Sequence, residues 1–272
     1  MDFEPEDIDD DSTLCPKSWR TETSRSTNLY APWTKIVEQF TVSGLTKSSD
    51  KLYALSGVAE RMRVLTGDNY VAGLWERNLL FDLLWYIEKG RQANWEPSYR
   101  ISPSPAPSWS WASVQGRVHF AQGRLDIAWG PPLVEIRAID IDSVTKCDNI
   151  DANRGTIIIS GALEKMPELA VLPEYMFSMF PGAGSSCCMD DDEDLQTNDD
   201  LYALPMRAMK SVNGESLLCL ILTPTSKNSE VFRRAGLLSL AKDELDDFEW
   251  ADGEWHNGTS GLYLKPHVIR IQ

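Results

Sequence analysis

Tyr70-Val-Ala-Gly-Leu-Trp-Glu-Arg-Asn-Leu-Leu-Phe-Asp-Leu-Leu-Trp85, followed beyond a proline-rich bridge by Pro107-Ser-Trp-Ser-Trp-Ala-Ser113, is the part of the chain on which the fold turns. Five of the ten tryptophans, Trp75, Trp85, Trp95, Trp109 and Trp111, lie between Asn69 and Ser113. A tryptophan carries roughly 150–250 Å² of surface, so at about 25 cal/mol per Å² its burial contributes on the order of 4–6 kcal/mol as an upper bound. Such density marks a core. On a helical wheel the apolar residues of about 71–88 fall on nearly every side, which predicts a long helix buried on most faces. Its Glu76, Arg77 and Asp82 would then need partners, because an unpaired buried charge is costly. The bridge Ser102-Pro-Ser-Pro-Ala-Pro107 cannot be helical and predicts an extended crossing.

Toward the N-terminus the period stays helical. Trp33, Ile36, Val37 and Phe40 recur at i, i+3, i+4, i+7, predicting a helix that begins near Ala31-Pro32 and closes at Gly44. Ser48-Ser49-Asp50 offers N-caps for a second, with Leu52, Leu55, Val58, Ala59, Met62 and Leu65 as its stripe and Thr66-Gly67-Asp68 as its stop. Residues 1–29 are acidic, then rich in Ser, Thr and Arg, with too few apolar side chains to offset ordering; a disordered tail is expected.

Toward the C-terminus the period becomes that of strands: Trp109-Ser-Trp-Ala alternates large and small, and Leu133–Ile141, Gly155–Gly161, Leu217–Thr223, Val231–Leu240 and His267–Gln272 are apolar or β-branched runs. Pro181–Asp200 reads as a long mobile loop, disordered over about 182–200. The expected fold class is α+β: a three-helix layer over 30–95 packed on an antiparallel β sandwich or open barrel over 96–272.

The formal net charge of -15 is localised. Met1–Asp11 and Asp190–Asp200 each hold seven acidic residues and no basic one, leaving 27 acidic against 26 basic residues elsewhere. The remaining body is near neutral, and without a Lys/Arg cluster it offers no electrostatic footprint for nucleic acid or an anionic membrane. Five cysteines without C-x-x-C or scaffold spacing suit a reducing compartment. With no secretory signal pattern and no run of eighteen apolar residues, the expectation is an intracellular, cytoplasmic protein.

No catalytic constellation stands out. Asp190-Asp-Asp-Glu-Asp194 lacks the alternating ligands and glycine of a calcium loop, and is expected to be a solvated loop without metal. Cys187-Cys188 has no histidine at ligand spacing, so neither zinc nor another cofactor is expected. The Trp109/Trp111 pair could stack on a base or a sugar, but core packing is the better reading. Asp50-Lys51 and Glu76-Arg77 are explained by capping and ion pairs.

Trp33-Thr-Lys-Ile-Val, Leu45-Thr with Asp50-Lys-Leu-Tyr-Ala-Leu-Ser-Gly-Val-Ala59, Tyr70-Val-Ala-Gly-Leu-Trp75, Leu84-Trp85 and Ala106-Pro-Ser-Trp-Ser-Trp-Ala-Ser113 resemble, in this order, the region following the defining domain of fungal heterokaryon incompatibility (HET) proteins. Leu201-Tyr-Ala-Leu-Pro205 and Val231-Phe-Arg-Arg-Ala-Gly236 look like the C-terminal part of the same architecture, so the resemblance spans about 30–240. It implies a structural core at Trp33, Asp50, Lys51, Leu52, Gly73, Leu74, Trp75, Trp85, Pro107, Ser108, Trp109, Ser110 and Trp111. The tyrosine-cysteine-tryptophan-glycine and isoleucine-aspartate-alanine-rich signatures of the defining domain do not occur before Trp33. The resemblance thus implies a non-catalytic accessory or regulatory module in nonself recognition and programmed cell death, with a protein partner, the HET effector domain, in cis or in trans. The Trp33/Ile36/Val37/Phe40 stripe is the face such a partner would cover. The alternatives are an enzyme with a site around Glu76, Arg77, Asp82 and Arg100 in the helix-to-barrel crevice, or a non-functional truncated remnant.

Overall fold

The computed structural model of the chain describes residues 23–43, 47–88, 98–123, 127–141, 155–166, 185–191, 200–211, 214–227, 229–241 and 267–272. The disorder expected at 1–22, 182–184 and 192–199, and the expected contribution of Trp95, lie outside them.

Helix α1 spans Thr23–Val42, so it starts well before the Ala31-Pro32 boundary and replaces the expected disorder over 23–29. Pro32 lies inside it. A mid-helix proline loses one backbone bond, and the turn before it is held instead by Tyr30, whose buried hydroxyl donates to Asp68 at 2.6 Å. Trp33 and Val37 are buried and Ile36 and Phe40 pack against the core, so the stripe expected to face a missing partner points inward. Helices α2 (Lys51–Ala54) and α3 (Ser56–Thr66) follow a short helical lead-in over Ser48–Asp50. Asp50 makes no side-chain cap bond, whereas Gly67 closes α3 at φ 63° in the left-handed conformation. In α3, Ala59 and Met62 are buried while Val58 and Leu65 of the expected stripe are exposed.

The long buried helix expected over 71–88 does not form. Strands β1 (Tyr70–Val71) and β2 (Leu74–Trp75) make a tight hairpin through Ala72 and Gly73, at φ 47° and 97°. Two consecutive positive φ values give a two-residue turn whose twist matches that of the strands it joins. One helical turn at Glu76–Asn78, helix α4 (Leu79–Asp82) and strand β3 (Trp85–Ile87) complete the segment. Apolarity on every side reported burial on every side, which a folded-back chain satisfies as well as a helix does. Glu76 and Arg77 are exposed, contrary to expectation, and only Asp82 is buried.

Strands β4 (Tyr99–Arg100) and β5 (Val114–Gln115) pair, as do β3 and β6 (Val118–Phe120). Trp109-Ser-Trp-Ala is not a strand: the chain turns there and enters one helical turn, Trp111–Ser113, capped by the Ser110 hydroxyl accepting from Ala112 N at 3.1 Å.

The remaining strands are β7 (Ala128–Pro132), β8 (Glu135–Ile141), β9 (Gly155–Gly161), β10 (Glu164–Lys165), β11 (Ser186–Met189), β12 (Tyr202–Ser211), β13 (Gly214–Pro224), β14 (Val231–Ala241) and β15 (His267–Ile271). They form one nine-stranded sheet, ordered β10-β12-β13-β14-β15-β9-β8, with β7 against β12 and β11 against β14. The sheet is mixed where an antiparallel one was expected, because β14 and β15 run parallel. Along β13 the side chains alternate, with Leu218, Leu220 and Leu222 in the tryptophan-bearing core and Leu217, Cys219 and Ile221 in a second core. A strand buried on both faces reads as the unbroken apolar run seen in the sequence. The fold is α+β, its helices and tryptophan loops packed with one face of the sheet and not arranged as a distinct three-helix layer.

Strand β11 corrects the mobile-loop reading of Pro181–Asp200: Cys187, Cys188 and Met189 are buried, as is Asp190 of the acidic run. Gly236 of β14 admits it. A side chain there would begin 2.4 Å from the Cys188 carbonyl oxygen, so only glycine allows this approach.

Candidate functional site

The resemblance-bearing residues converge on one place. The carbonyl of Gly73 accepts two indole N–H groups, from Trp33 at 3.1 Å and Trp111 at 2.9 Å, while the Ser110 hydroxyl donates to the Ala72 carbonyl at 2.6 Å. The hairpin turn is thus the point where α1 and the Pro107–Ser113 segment meet. Trp85 Nε1 donates to the Trp109 carbonyl at 2.9 Å, and Trp109 Nε1 to the Gly155 carbonyl at 3.0 Å, which carries the network to the sheet. Trp33 stands edge-on to Trp75 and Tyr70, with centroids 5.7 and 5.4 Å apart. Leu74 and Pro107 are buried in the same core, and Leu52 packs beside Gly73. Lys51 is also buried; its ammonium donates to the Val114 carbonyl, and burial pushes its pKa down to about 8. Asp50 is exposed, accepting from the Ser49 hydroxyl at 3.1 Å.

A second centre lies where this network meets β14. Arg234 is wholly buried, its guanidinium 3.3 Å from the centre of the Trp85 ring, donating to the Trp85 carbonyl and lying 3.5 Å from Asp190 Oδ1. Arg100 reaches the same carboxylate at 3.4 Å and donates to the Arg234 carbonyl, while its own N–H donates to Asp191 at 2.9 Å. Burial lowers the Arg234 pKa to about 10, opposed by the field of Asp190, and the group stays charged at neutral pH. The pairing of Asp190 was hidden by its place in an acidic run. Arg234 could have been noticed as the second of two consecutive arginines in a largely apolar strand.

The four polar residues expected to share a crevice are not gathered. Glu76 accepts from the Asn69 side chain at 2.6 Å, and Arg77 lies against Asp68 at the surface, its guanidinium 4.0 Å from the carboxylate. Asp82 accepts from Trp75 N–H at 2.8 Å, Asn78 at 2.7 Å and Gln122 at 3.1 Å. Burial nevertheless dominates those bonds and raises its pKa to about 7. Arg100 belongs to the Asp190 cluster. Among the described residues no group of His, Cys, Asp and Glu could hold a metal ion, and no helix is long and apolar enough to cross a membrane.

Beside the Arg234 cluster is a cleft of about 290 Å³ between the proline-rich crossing and the N-terminal end of β14. Arg100, Ser104, Ser108, Ser113, Thr225 and Arg233 line it, and none of the described residues lining it is acidic. No family model matches the chain, and neither a curated protein nor a solved structure does.

Proposed function

We propose that the chain is a non-catalytic accessory module of a fungal heterokaryon incompatibility protein, which packs against or regulates the effector domain of that family in cis or in trans. The observation that carries this reading is the convergence of the motif residues. Trp33, Gly73, Trp75, Trp85, Trp109 and Trp111 are far apart in sequence, yet they build one buried knot with shared carbonyl acceptors. Motifs of that kind preserve a scaffold. The polar residues available for chemistry are held in separate structural contacts, which supports a binding role over a catalytic one.

The surface we assign to the contact is the outer side of α2 and α3, where Val64 is 69% and Leu65 73% exposed, with Tyr53 and Val58 nearby on the same pair of helices. Exposed apolar side chains that join into a contiguous patch are a recognised mark of protein contacts. The family order supports this occupant, since the effector domain precedes the segment equivalent to α1, and α3 packs beside α1. Calorimetric titration with a separately expressed HET domain tests the reading: binding is expected, and Leu65→Glu should weaken it at least about tenfold. Absence of binding, or equal binding by Leu65→Glu, would sink the proposal.

A further inference from the structure

We propose that the acidic segment of residues 1–11 docks on the outer face of α3, an internal contact that covers the surface assigned above to the effector domain and regulates access to it. The contact rests on that reading only in taking this face as a contact surface. On α3, Val58, Arg61 and Leu65 recur at i, i+3 and i+7, with Val64 beside them, so a cation stands within an exposed apolar stripe. Arg63 is held by Glu60 through two bonds of 2.8 Å, whereas Arg61 has no ion pair among the described residues. Helix α3 carries Arg61 and Arg63 against Glu60 alone, a net positive charge in a chain whose formal charge is -15. Apolar side chains left in water around an unpaired guanidinium call for an occupant that brings apolar groups and carboxylates together.

Residues 1–11 have that chemistry: Phe3 and Ile8 lie among seven acidic residues with no basic one. The second acidic run is anchored elsewhere, by Asp190 at Arg100 and Arg234 and by Asp191 at the Arg100 N–H. Position also favours the first. Tyr30 of α1 donates to Asp68, just beyond the end of α3, so α1 passes beside the end of α3 that carries Val64 and Leu65. Thr23, where α1 starts, lies about 10 Å further along the helix axis from Tyr30. Residues 12–22 connect the acidic segment to that point and can span at most about 36–40 Å, whereas α3 is only about 16 Å long. The contact can therefore form within one molecule, where a short tether gives an effective concentration of about the millimolar range and a weak contact suffices. A second copy fits less well, because a two-fold contact through α3 would set one net positive face against another.

Photo-crosslinking of the intact chain tests the contact without any HET domain, so a HET domain that fails to bind would strike the reading above and leave this measurement unaffected. With Phe3→p-benzoylphenylalanine, the expected product is an internal crosslink, at the mass of one chain, that maps within residues 53–65. Arg61→Glu and Leu65→Glu should each lower its yield at least about fivefold, as should salt at about 1 M, while Arg137→Gln, an exposed arginine on β8, should leave it unchanged. A second measurement leaves α3 untouched: Phe3→Ser combined with Ile8→Ser should speed hydrogen exchange across Ser56–Thr66 at least about fivefold. The proposal is overturned by the absence of a crosslink, by crosslinks that map only outside residues 53–65 or only join two chains, by yields that the Arg61 and Leu65 variants do not change, or by exchange that the double substitution does not change.

Discussion

Replacing Gly73 by alanine tests whether the hairpin turn organises the tryptophan knot. The residue has φ 97°, where an L side chain is strained, and a Cβ built on it would lie 2.7 Å from Trp111 Nε1 and 3.1 Å from Cε2 of the same ring. The backbone strain alone costs about 1–2 kcal/mol. The steric overlap is harder to relieve, because Trp111 is wholly buried and its indole N–H is tied to the Gly73 carbonyl that would have to move. Overpacking a closed core costs roughly 1–3 kcal/mol, so the total is about 2–5 kcal/mol, a large part of the stability of an ordinary domain. Gly67→Ala supplies the control. It has positive φ as well, at 63°, but nothing lies within 4 Å of the added carbon, so it should show the backbone cost only. Urea unfolding of the two variants isolates the clash as their difference, and Gly73→Ala should also shift indole fluorescence. If both variants lose the same stability, or Gly73→Ala matches the parent, the turn does not hold the knot in the way described.

Three further outcomes are expected. Trp109→Ala and Trp111→Ala should each cost roughly 3–5 kcal/mol in chemical denaturation, since each removes a wholly buried side chain; a preserved melting temperature in both would return them to the surface. Asp82 has a folded pKa of about 7 against roughly 3.9 when unfolded, so the folded state keeps a proton that the unfolded state releases. Its contribution is therefore full below about pH 4 and lost as pH rises toward about 7; Asp82→Asn should flatten that part of the stability–pH curve, and an unchanged slope would refute the assignment. Asp190→Ala should destabilise by roughly 3–5 kcal/mol because it strands buried Arg234, whereas the double variant Asp190→Ala with Arg234→Met should recover much of the loss; additive losses in that cycle would show that the two charges do not depend on each other.

The sequence disclosed the sheet better than the helical side, for physical reasons. The β9, β13, β14 and β15 runs were visible because a buried strand is a short apolar segment bounded by Gly, Pro or polar residues, a pattern that leaves little room for another conformation. The segment 70–88 has equal apolarity but no clear period, and a wheel cannot tell a buried helix from a buried hairpin. The informative feature was Gly73, whose φ of 97° made the reversal possible. Local composition misled in the other direction at Asp190, where an acidic run suggested solvent while the counter-charges came from Arg100 and Arg234, distant in sequence. The cleft shares this property: its walls come from β4, the proline-rich crossing and β14, and no window of sequence contains them together.

The two centres explain each other through Trp85. Its ring edge donates into the tryptophan knot at the Trp109 carbonyl, while its face receives the Arg234 guanidinium and its carbonyl accepts from the same group. An arginine buried without water is costly, and one carboxylate shared with a second arginine offsets that cost only in part. The aromatic face supplies attraction that does not itself bring in another desolvated charge. This makes the cluster a poor source of net stability and a good source of specificity: Arg234 meets its carbonyl acceptor and its carboxylate only when β14, the β11 end at Asp190 and β3 at Trp85 come together in one register. A sheet with two apolar faces has many ways to slide, since leucine packs on leucine at any register, and a buried charge with one acceptable position removes most of them. By this argument Arg234 fixes where the knot docks on the sheet, and so places Arg100 and Arg233 on the walls of the same cleft.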